Sequence, residues 1–274
     1  MIEYKTHDEI RKMRRAALVV AQIHRALQSH ITAGMTTRDC DAIALDVLRE
    51  AGAQSNFYGY YDYPAQICTS VNDVIVHGIP DDRVLQPGDI ISCDCGAVVD
   101  GWNGDAAFTM VLPGGDPQVY AARKRLSDIT EHAMWVGIAA MATRKRVGHI
   151  GEAIDDFITS LPDDEQPDIL IDYVGHGIGR QMHQEPDVLH YRSRGRSPRL
   201  RAGMVLCVEP MLAAGNQANR VLEDGWTVVT QDGSDAAHWE HEVALHEEGI
   251  WVLSAPDGGV AGLAPFGITP VPLD

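Results

Sequence analysis

The 274-residue sequence has few positive charges. It holds 22 Lys and Arg against 39 Asp and Glu, so its formal net charge at pH 7 is −17. Proteins bind nucleic-acid backbones and anionic membranes through basic faces, so we expect neither DNA binding nor membrane binding. Long hydrophobic runs are missing as well. The uncharged apolar run near the start, Ala16–Ala21, is far shorter than the ~20 residues that cross a bilayer.

Cysteine is also scarce and is not arranged in pairs. The five cysteines are odd in number and form no Cys-x-x-Cys motif. This pattern favours a reduced protein over a disulfide framework. The charged N-terminal residues contain no apolar core ahead of a cleavage site, so we expect no signal peptide and a cytoplasmic location. The five are Cys40, Cys68, Cys93, Cys95 and Cys207.

The remaining composition is that of a globular protein, with 45% hydrophobic and 22% charged residues. A capping box at Thr6–Glu9 is followed by apolar residues at helical spacing, which predicts a helix over 7–30. The other predicted elements are helices from Thr36 to near Gly52, at 117–142 and at 148–160, a loop at 162–167, and strands at 66–77, 89–99, 105–112, 204–213, 226–231 and 240–253.

Several sequence features occur twice in the same order. Each series has a His-Gly-Ile tripeptide, an acid six residues after the glycine of Leu-x-x-Gly, an Asp-Gly-Trp tripeptide and a second acid. The repetition predicts an internal duplication within one domain over 1–274, with half-repeats at about 1–113 and 114–253 and a C-terminal tail at 254–274. The first series is His77, Asp94, Asp100–Trp102 and Asp105; the second is His176, Glu209, Asp224–Trp226 and Glu240.

The four repeated acids lie on or beside apolar strands. A buried carboxylate without a partner costs several kcal/mol or becomes protonated. Lys and Arg are scarce in these segments, whereas a pair of divalent cations would serve all four acids. Oxygen-rich ligands with one or two imidazoles suit Mn, Fe, Co or Zn. The alternative is that some acids point outward from edge strands. The four are Asp94, Asp105, Glu209 and Glu240.

Three histidines are candidates for the same site. His77 and His176 each precede a glycine, which allows close approach of the backbone, and His183 follows seven residues after His176. For five other histidines, a role as a hydrogen-bonded core or surface residue is the simpler interpretation. These are His24, His30, His132, His149 and His246.

These residues together resemble the bacterial type I methionine aminopeptidases. The resemblance covers about residues 3 to 253, and it implies the pita-bread fold. This is an α+β fold with pseudo-twofold halves, in which helices cover a curved, mainly antiparallel sheet. The motifs that carry the resemblance are Val71–Pro80, Asp94 with Asp105 eleven residues later, Gly175–Gly179, His183–Pro186, Val208–Met211, Asp224–Trp226 and Glu240-His241.

The resemblance implies two divalent metal ions held by five residues. Asp94 would bind one ion, and Asp105 and Glu240 would bridge both. His176 and Glu209 would complete the other ion. The metal, whether Co, Mn, Fe or Zn, is left open.

The resemblance also implies roles in catalysis and in substrate binding. Glu209 would take a proton from the attacking water, His183 would donate to the oxyanion, and His77 would bond to the scissile amide nitrogen. An aromatic and sulfur-lined pocket would suit a flexible thioether, although ordinary core packing is the alternative for its members. The pocket residues implied are Phe57, Tyr60, Tyr63, Cys68, Met182 and Trp226.

The implied activity is removal of the initiator methionine from nascent proteins and peptides, preferably when the second residue is small. The partners would be nascent polypeptide N-termini, and the enzyme would be a monomer. Five arginines in the loop 192–201 have two interpretations, a transient contact with ribosomal RNA or a solvated loop, and the second is favoured.

Two other functions compete with this one. A proline-specific aminopeptidase or prolidase shares the fold and metal set, but such relatives usually carry an extra N-terminal domain. A non-catalytic binding protein on the same fold would generally have lost metal ligands, and all five ligand positions are present here.

Overall fold

A computed structural model describes residues 1–273 of the chain. Its helices are α1 His7–His30, α2 Thr37–Glu50, α3 Pro117–Thr143, α4 Gly148–Thr159 and the single turn α5 Val260–Leu263. The predicted capping box forms: the Thr6 side chain accepts from the Glu9 N–H, and Glu9 accepts from the Thr6 N–H. The four long predicted helices are therefore confirmed. Within residues 1–273 no helix combines the length and apolar character needed to cross a membrane.

Four strands follow the first two helices. They are β1 Ile67–Val71, β2 Val74–Val76, β3 Ile90–Val99 and β4 Trp102–Val111. The hairpin β3–β4 is antiparallel, with Asp94 opposite Ala107 and Gly96 opposite Asp105. Alternation along the strands sends Cys93, Cys95, Ala106 and Phe108 into a core shared with α1 and α2. The carboxyl groups of Asp94 and Asp105 therefore lie on the opposite face.

The remaining strands follow α3 and α4, and most are short and antiparallel. A five-stranded sheet has the order β14-β13-β8-β6-β7. Glu209 comes directly after β8, and Glu240 comes directly before β13. Val208 and Val243 pack with α3 and α4 in a second core. The strands are β5 Asp168–Ile169, β6 Gly175–Gly177, β7 Gln184–Val188, β8 Val205–Val208, β9 Met211–Ala213, β10 Asn219–Val221, β11 Val228–Thr230, β12 Ala236–His238, β13 His241–His246 and β14 Gly249–Val252.

Three predicted strands are each divided in two, so those predictions were wrong in their continuity. The predicted strand 66–77 is interrupted at Asn72, whose φ of 60° turns the chain. The strand predicted at 204–213 stops before Glu209-Pro210, because proline has no N–H to continue a ladder. The strand predicted at 240–253 is a hairpin that turns at 247–248.

The short strands β5, β6, β7, β10 and β12 were not predicted, and the predicted loop 162–167 contains a single 3-10 turn at Asp163–Glu165. The element order, two helices followed by strands, occurs twice along the chain. The division into half-repeats and a tail stays a prediction.

Candidate metal and substrate site

One cavity of about 260 Å³ brings the predicted site residues together. One wall of the cavity is rich in carboxylates and imidazoles, and the other is aromatic and sulfur-containing. All of the predicted metal, catalytic and pocket residues line it: Phe57, Tyr60, Tyr63, Cys68, His77, Asp94, Asp105, His176, Met182, His183, Glu209, Trp226 and Glu240. Sequence reasoning missed two further lining residues, Tyr61 and Val76.

The carboxylate wall is built from both halves of the chain. Asp94 and Asp105 come from the β3–β4 hairpin, whereas Glu209 and Glu240 lie just beyond β8 and just before β13. The Glu240 N–H donates to the carbonyl of Ala107 at 3.0 Å, which ties the second half to the first at this point. The fold thus places acids that are up to 146 residues apart around one cavity.

The four carboxyl groups have strongly perturbed acidity. Burial raises the pKa of Asp94 to about 7. Burial, followed by the charges of neighbouring acids, raises the pKa values of Asp105, Glu209 and Glu240 well above their ordinary range. An oxygen of each group is buried without a hydrogen-bond partner within residues 1–273. Such a cluster needs positive charge to hold its acids ionised.

His176 is oriented as a metal ligand would be. Its Nδ1 lies 2.9 Å from the carbonyl oxygen of Gly177, so this nitrogen carries the proton and donates. Its Nε2 then offers a lone pair on the cavity side, 3.3 Å from Glu209 Oε1. Burial lowers the pKa of His176 to about 3, with His183 adding to the shift, so the imidazole is neutral.

The ligand set fits divalent cations. Ligand atoms of Asp105, His176, Cys207 and Glu240 all lie within 4.8 Å of one another, with every residue buried. Cys207 was not predicted at the site. Its thiol forms a hydrogen bond with Glu240, and burial raises its pKa well above the ordinary value, so it acts as a neutral donor. The unpartnered carboxylate oxygens and the free His176 nitrogen provide the hard, oxygen-rich donors that such ions prefer.

The other two predicted histidines, His77 and His183, line the same cavity. The backbone of His77 has a φ of 58°, which is unusual for a residue other than glycine and turns its side chain toward the cavity. His183 is exposed, and its Nδ1 lies 3.0 Å from the hydroxyl of Tyr60. Burial lowers the pKa of His77 to about 4, and His183 contributes to that shift.

The apolar wall forms a small cluster of its own. Phe57, Tyr63, Cys68 and Met182 are buried together, with Tyr60 and Trp226 packed against them. Tyr63 and Trp226 meet edge to face with ring centroids 5.0 Å apart. This wall is closed by aromatic rings and lined by two sulfur atoms, so an unbranched thioether side chain matches its chemistry.

Three buried residues that were not predicted surround the carboxylates from behind. Glu242 accepts from the Asp105 N–H at 3.3 Å, His190 accepts from the Glu209 N–H at 3.0 Å, and His238 lies beside the Glu209 carboxylate. None of them belongs to the repeated motifs. The two-residue spacing of Glu240 and Glu242 was the available signal for Glu242, because within the predicted strand 240–253 it would place both side chains on one face.

Comparison with known proteins defines the class. The model of metallopeptidase family M24 matches residues 11–247. Methionine aminopeptidase 1 of Mycobacterium tuberculosis is 43% identical over 257 residues, which cover 93% of this chain and 95% of that protein. The crystal structure of a methionine aminopeptidase from Thermotoga maritima has a TM-score of 0.86 at 36% identity, covering 93% and 99% of the two chains.

Prolidases share the fold at a greater distance. The prolidase from Pyrococcus furiosus has a TM-score of 0.69 at 19% identity, covering 92% of this chain and 65% of that one.

The match to the family model over residues 11–247 shows that the chain belongs to metallopeptidase family M24. Within that family it belongs with the methionine aminopeptidases, which confirms the family and the pita-bread fold expected from the sequence.

Proposed function

We propose that this metal-dependent enzyme removes the N-terminal methionine from nascent proteins and peptides, preferably when the second residue is small. One observation carries the proposal: a single cavity joins a sulfur- and aromatic-lined wall to a cluster of four carboxylates, of which Asp94 is half-buried and the other three are buried. The first wall suits a methionine side chain, and the second suits hydrolysis of the bond next to it. The relatives from Mycobacterium tuberculosis and Bacillus subtilis, which are both named methionine aminopeptidase 1, support the same activity.

The proposed cofactor is a pair of divalent cations, with Co, Mn, Fe and Zn all compatible with the ligands. Asp94 would hold one ion and Asp105 and Glu240 would bridge the two, with His176 and Glu209 on the other. Bound divalent cations lower the pKa of water and polarise a carbonyl group, which supplies a nucleophile near neutral pH. The unpartnered oxygens on all four acids support this assignment.

Three side chains would handle protons and charge during cleavage. Glu209 is a buried carboxylate inside the cavity, and we assign it the proton released by the attacking water. His183 donates from Nε2 to the oxyanion while the Tyr60 hydroxyl binds its Nδ1. His77, on the same side of the cavity as Trp226, donates to the amide nitrogen as it leaves.

Peptide cleavage followed by mass spectrometry tests the activity. Chelator-treated protein is assayed with added Mn, Co, Fe or Zn on Met-Ala-Ser, Met-Lys-Ser and Ala-Pro-Ser peptides. We expect metal-dependent loss of methionine from Met-Ala-Ser and little cleavage of the other two. Cleavage of Ala-Pro-Ser instead would place the enzyme with the proline-specific members, and no cleavage with any metal would favour a binding protein.

We also propose that the enzyme is a cytoplasmic monomer that contacts ribosomal RNA transiently. The loops at 144–146 and 192–201 join at one surface, where Leu200 N–H donates to the Lys145 carbonyl and Arg146 pairs with Arg199 in a β-bridge. Arg192 is engaged by Glu152 and Asp156. Four arginines of the second loop are exposed and have no side-chain partner within residues 1–273: Arg194, Arg196, Arg199 and Arg201.

Co-sedimentation with ribosomes tests this contact. We expect binding at about 50 mM salt and its loss at about 200 mM, because phosphate contacts release counterions. Combined Arg194→Glu and Arg196→Glu changes should abolish sedimentation without changing peptide cleavage. The exposed Arg25→Glu control should change neither sedimentation nor peptide cleavage. Absence of sedimentation by the unmodified enzyme at low salt would leave the arginines as a solvated loop. Light scattering of the free enzyme tests whether it is a monomer.

A further inference from the structure

A buried histidine outside the predicted site lies against the carboxylate of Glu209. His238 ends strand β12 and is 1% exposed. Its Nε2 lies 3.9 Å from Glu209 Oε2 and has no hydrogen-bond partner within residues 1–273. A buried ring nitrogen without a partner is unfavourable, so its position next to a carboxylate oxygen calls for a functional explanation.

The backbone around His238 fixes where the ring can be. Its N–H donates to the hydroxyl oxygens of Ser92 at 3.2 Å and Thr109 at 3.1 Å, and the Thr109 hydroxyl donates to its carbonyl at 2.6 Å. Strand β12 pairs His238 with Met211, two residues beyond Glu209. The ring is therefore held beside Glu209 by both halves of the chain.

The Glu209 carboxylate consequently lies between two imidazoles. His176 Nε2 approaches Oε1 at 3.3 Å, whereas His238 Nε2 approaches Oε2. His176 uses its Nδ1 proton on the Gly177 carbonyl, so its Nε2 offers a lone pair and cannot donate to Glu209. His238 is then the neighbouring ring whose Nε2–H can donate to this carboxylate.

We propose that His238 is a positioning residue for Glu209. Its Nε2–H donates to Oε2 once the carboxylate turns by a small rotation, and this bond holds Oε2 away from the cavity while Oε1 faces it. The carboxylate is thereby kept in one orientation for accepting a proton. This inference rests on the proposed role of Glu209 in cleavage.

Two substitutions separate donation from shape. His238→Gln keeps an N–H donor of similar reach, whereas His238→Leu keeps apolar bulk without a donor. With Met-Ala-Ser as substrate we expect His238→Leu to lower kcat about 10- to 100-fold with KM changed less than about twofold, as is usual when the hydrogen-bond partner of a ligand is lost. His238→Gln should recover most of that loss. The buried but remote His246→Gln serves as the matched control and should keep normal kcat.

Metal content and unfolding give readouts that do not depend on turnover. With excess metal we expect His238→Leu to bind the full number of ions by mass spectrometry, because the proposed bond is to Glu209 and not to an ion. At limiting metal its ion affinity should fall, since Glu209 is a proposed ligand. We also expect thermal-unfolding effects of His238→Leu and Glu209→Gln to be non-additive, since contacting residues couple in a double-mutant cycle.

Four results would overturn the proposal. Loss of a bound ion in His238→Leu even with excess metal, with no recovery in His238→Gln, would make His238 a metal ligand. Equal defects in His238→Gln and His238→Leu would make the ring shape, not the donor, decisive. Normal kcat in His238→Leu, or additive effects on unfolding, would remove the contact with Glu209. If the unmodified enzyme fails to cleave Met-Ala-Ser, the proposed function fails, and the unfolding cycle still decides whether the contact exists.

Discussion

At the scale of single residues, Asp105 lies among three other acids, Glu240, Asp94 and Glu242. It is 3% exposed, and after burial the charges of Glu240 and Asp94 are what raise its pKa furthest. Its backbone N–H is used by Glu242, so only its side chain is available to the cavity. This location suits the bridging role proposed for Asp105.

Asp105→Asn should lower activity on Met-Ala-Ser by at least about 10³-fold, equivalent to about 4 kcal/mol of transition-state stabilisation. The amide is nearly isosteric but has no charge and one oxygen, so it cannot serve two ions. Ion content measured by mass spectrometry should fall with the activity. The exposed Asp100→Asn, in the turn of the same hairpin, is the control. Near-normal turnover of Asp105→Asn would contradict the bridging assignment.

Residues of the site could be foreseen where the two halves repeat each other. The repeated acids, with His176, were visible because a carboxylate in an apolar strand is costly and therefore conspicuous. His238 and His190 were not predicted because His238 ends the short strand β12 and His190 lies just after β7, and neither belongs to a repeated motif. Their proximity to Glu209 arises from strand pairing between distant segments, which a local pattern does not encode.

At the scale of elements, helix α1 lies directly on strand β4. A Cβ placed on Gly104 would come within 2.4 Å of the Ala17 nitrogen and 2.5 Å of the Ala16 carbonyl carbon. The helix therefore touches the strand backbone to backbone, one residue before Asp105. Close contact of this kind makes the position of the hairpin that carries Asp94 and Asp105 depend on α1.

Gly104→Ala should destabilise the enzyme by about 1–3 kcal/mol, the usual cost of overpacking. Chemical denaturation measures the free energy of unfolding, and the exposed Gln28→Ala on the same helix is expected to change it little. Because the hairpin shifts when α1 is pushed away, ion affinity should fall as well. Unchanged stability in Gly104→Ala would show that the helix moves without cost.

The helices were predicted almost to the residue because their capping residues and apolar spacing are local. Strands were predicted less well, since three apolar runs were each read as one strand. Asn72 and Glu209-Pro210 divide two of these runs. The second break is itself part of the site, because it releases Glu209 from the ladder and frees its side chain to face the cavity.

At the scale of the whole molecule, folding gathers four acids that would repel one another without cations. Their folded-state pKa values lie above the unfolded ones, and that of Asp94 is about 7. Protons therefore bind more tightly to these acids in the folded than in the unfolded ion-free protein. The contribution of the four acids to stability is greatest below the ordinary carboxyl pKa and declines as pH rises from about 4 toward 7 and beyond. Buried histidines such as His176 and His77, whose pKa values burial lowers to about 3 and about 4, act in the opposite direction below about pH 7.

Above about pH 7.5 the buried histidines are neutral in both states, so the acids decide the trend. Ion-free enzyme should accordingly melt at a lower temperature at pH 8.5 than at pH 7.5, with each perturbed acid contributing up to about 1.4 kcal/mol per pH unit. Added Mn should raise the melting temperature more at pH 8.5 than at pH 7.5, because the ions bind the deprotonated acids. Thermal unfolding with and without Mn measures both effects. A stabilisation by Mn that shrinks with rising pH would contradict this account.

The two Asp-Gly-Trp tripeptides have ended in different surroundings, and this has an optical consequence. Trp102 is buried with Arg180 stacked 4.2 Å above its ring, whereas Trp226 is half-buried on the cavity wall beside Tyr63. Of the five tryptophans in the chain, Trp226 lines the cavity. Its fluorescence should therefore change when a thioether side chain enters, so the protein carries an intrinsic optical reporter for occupancy of the pocket.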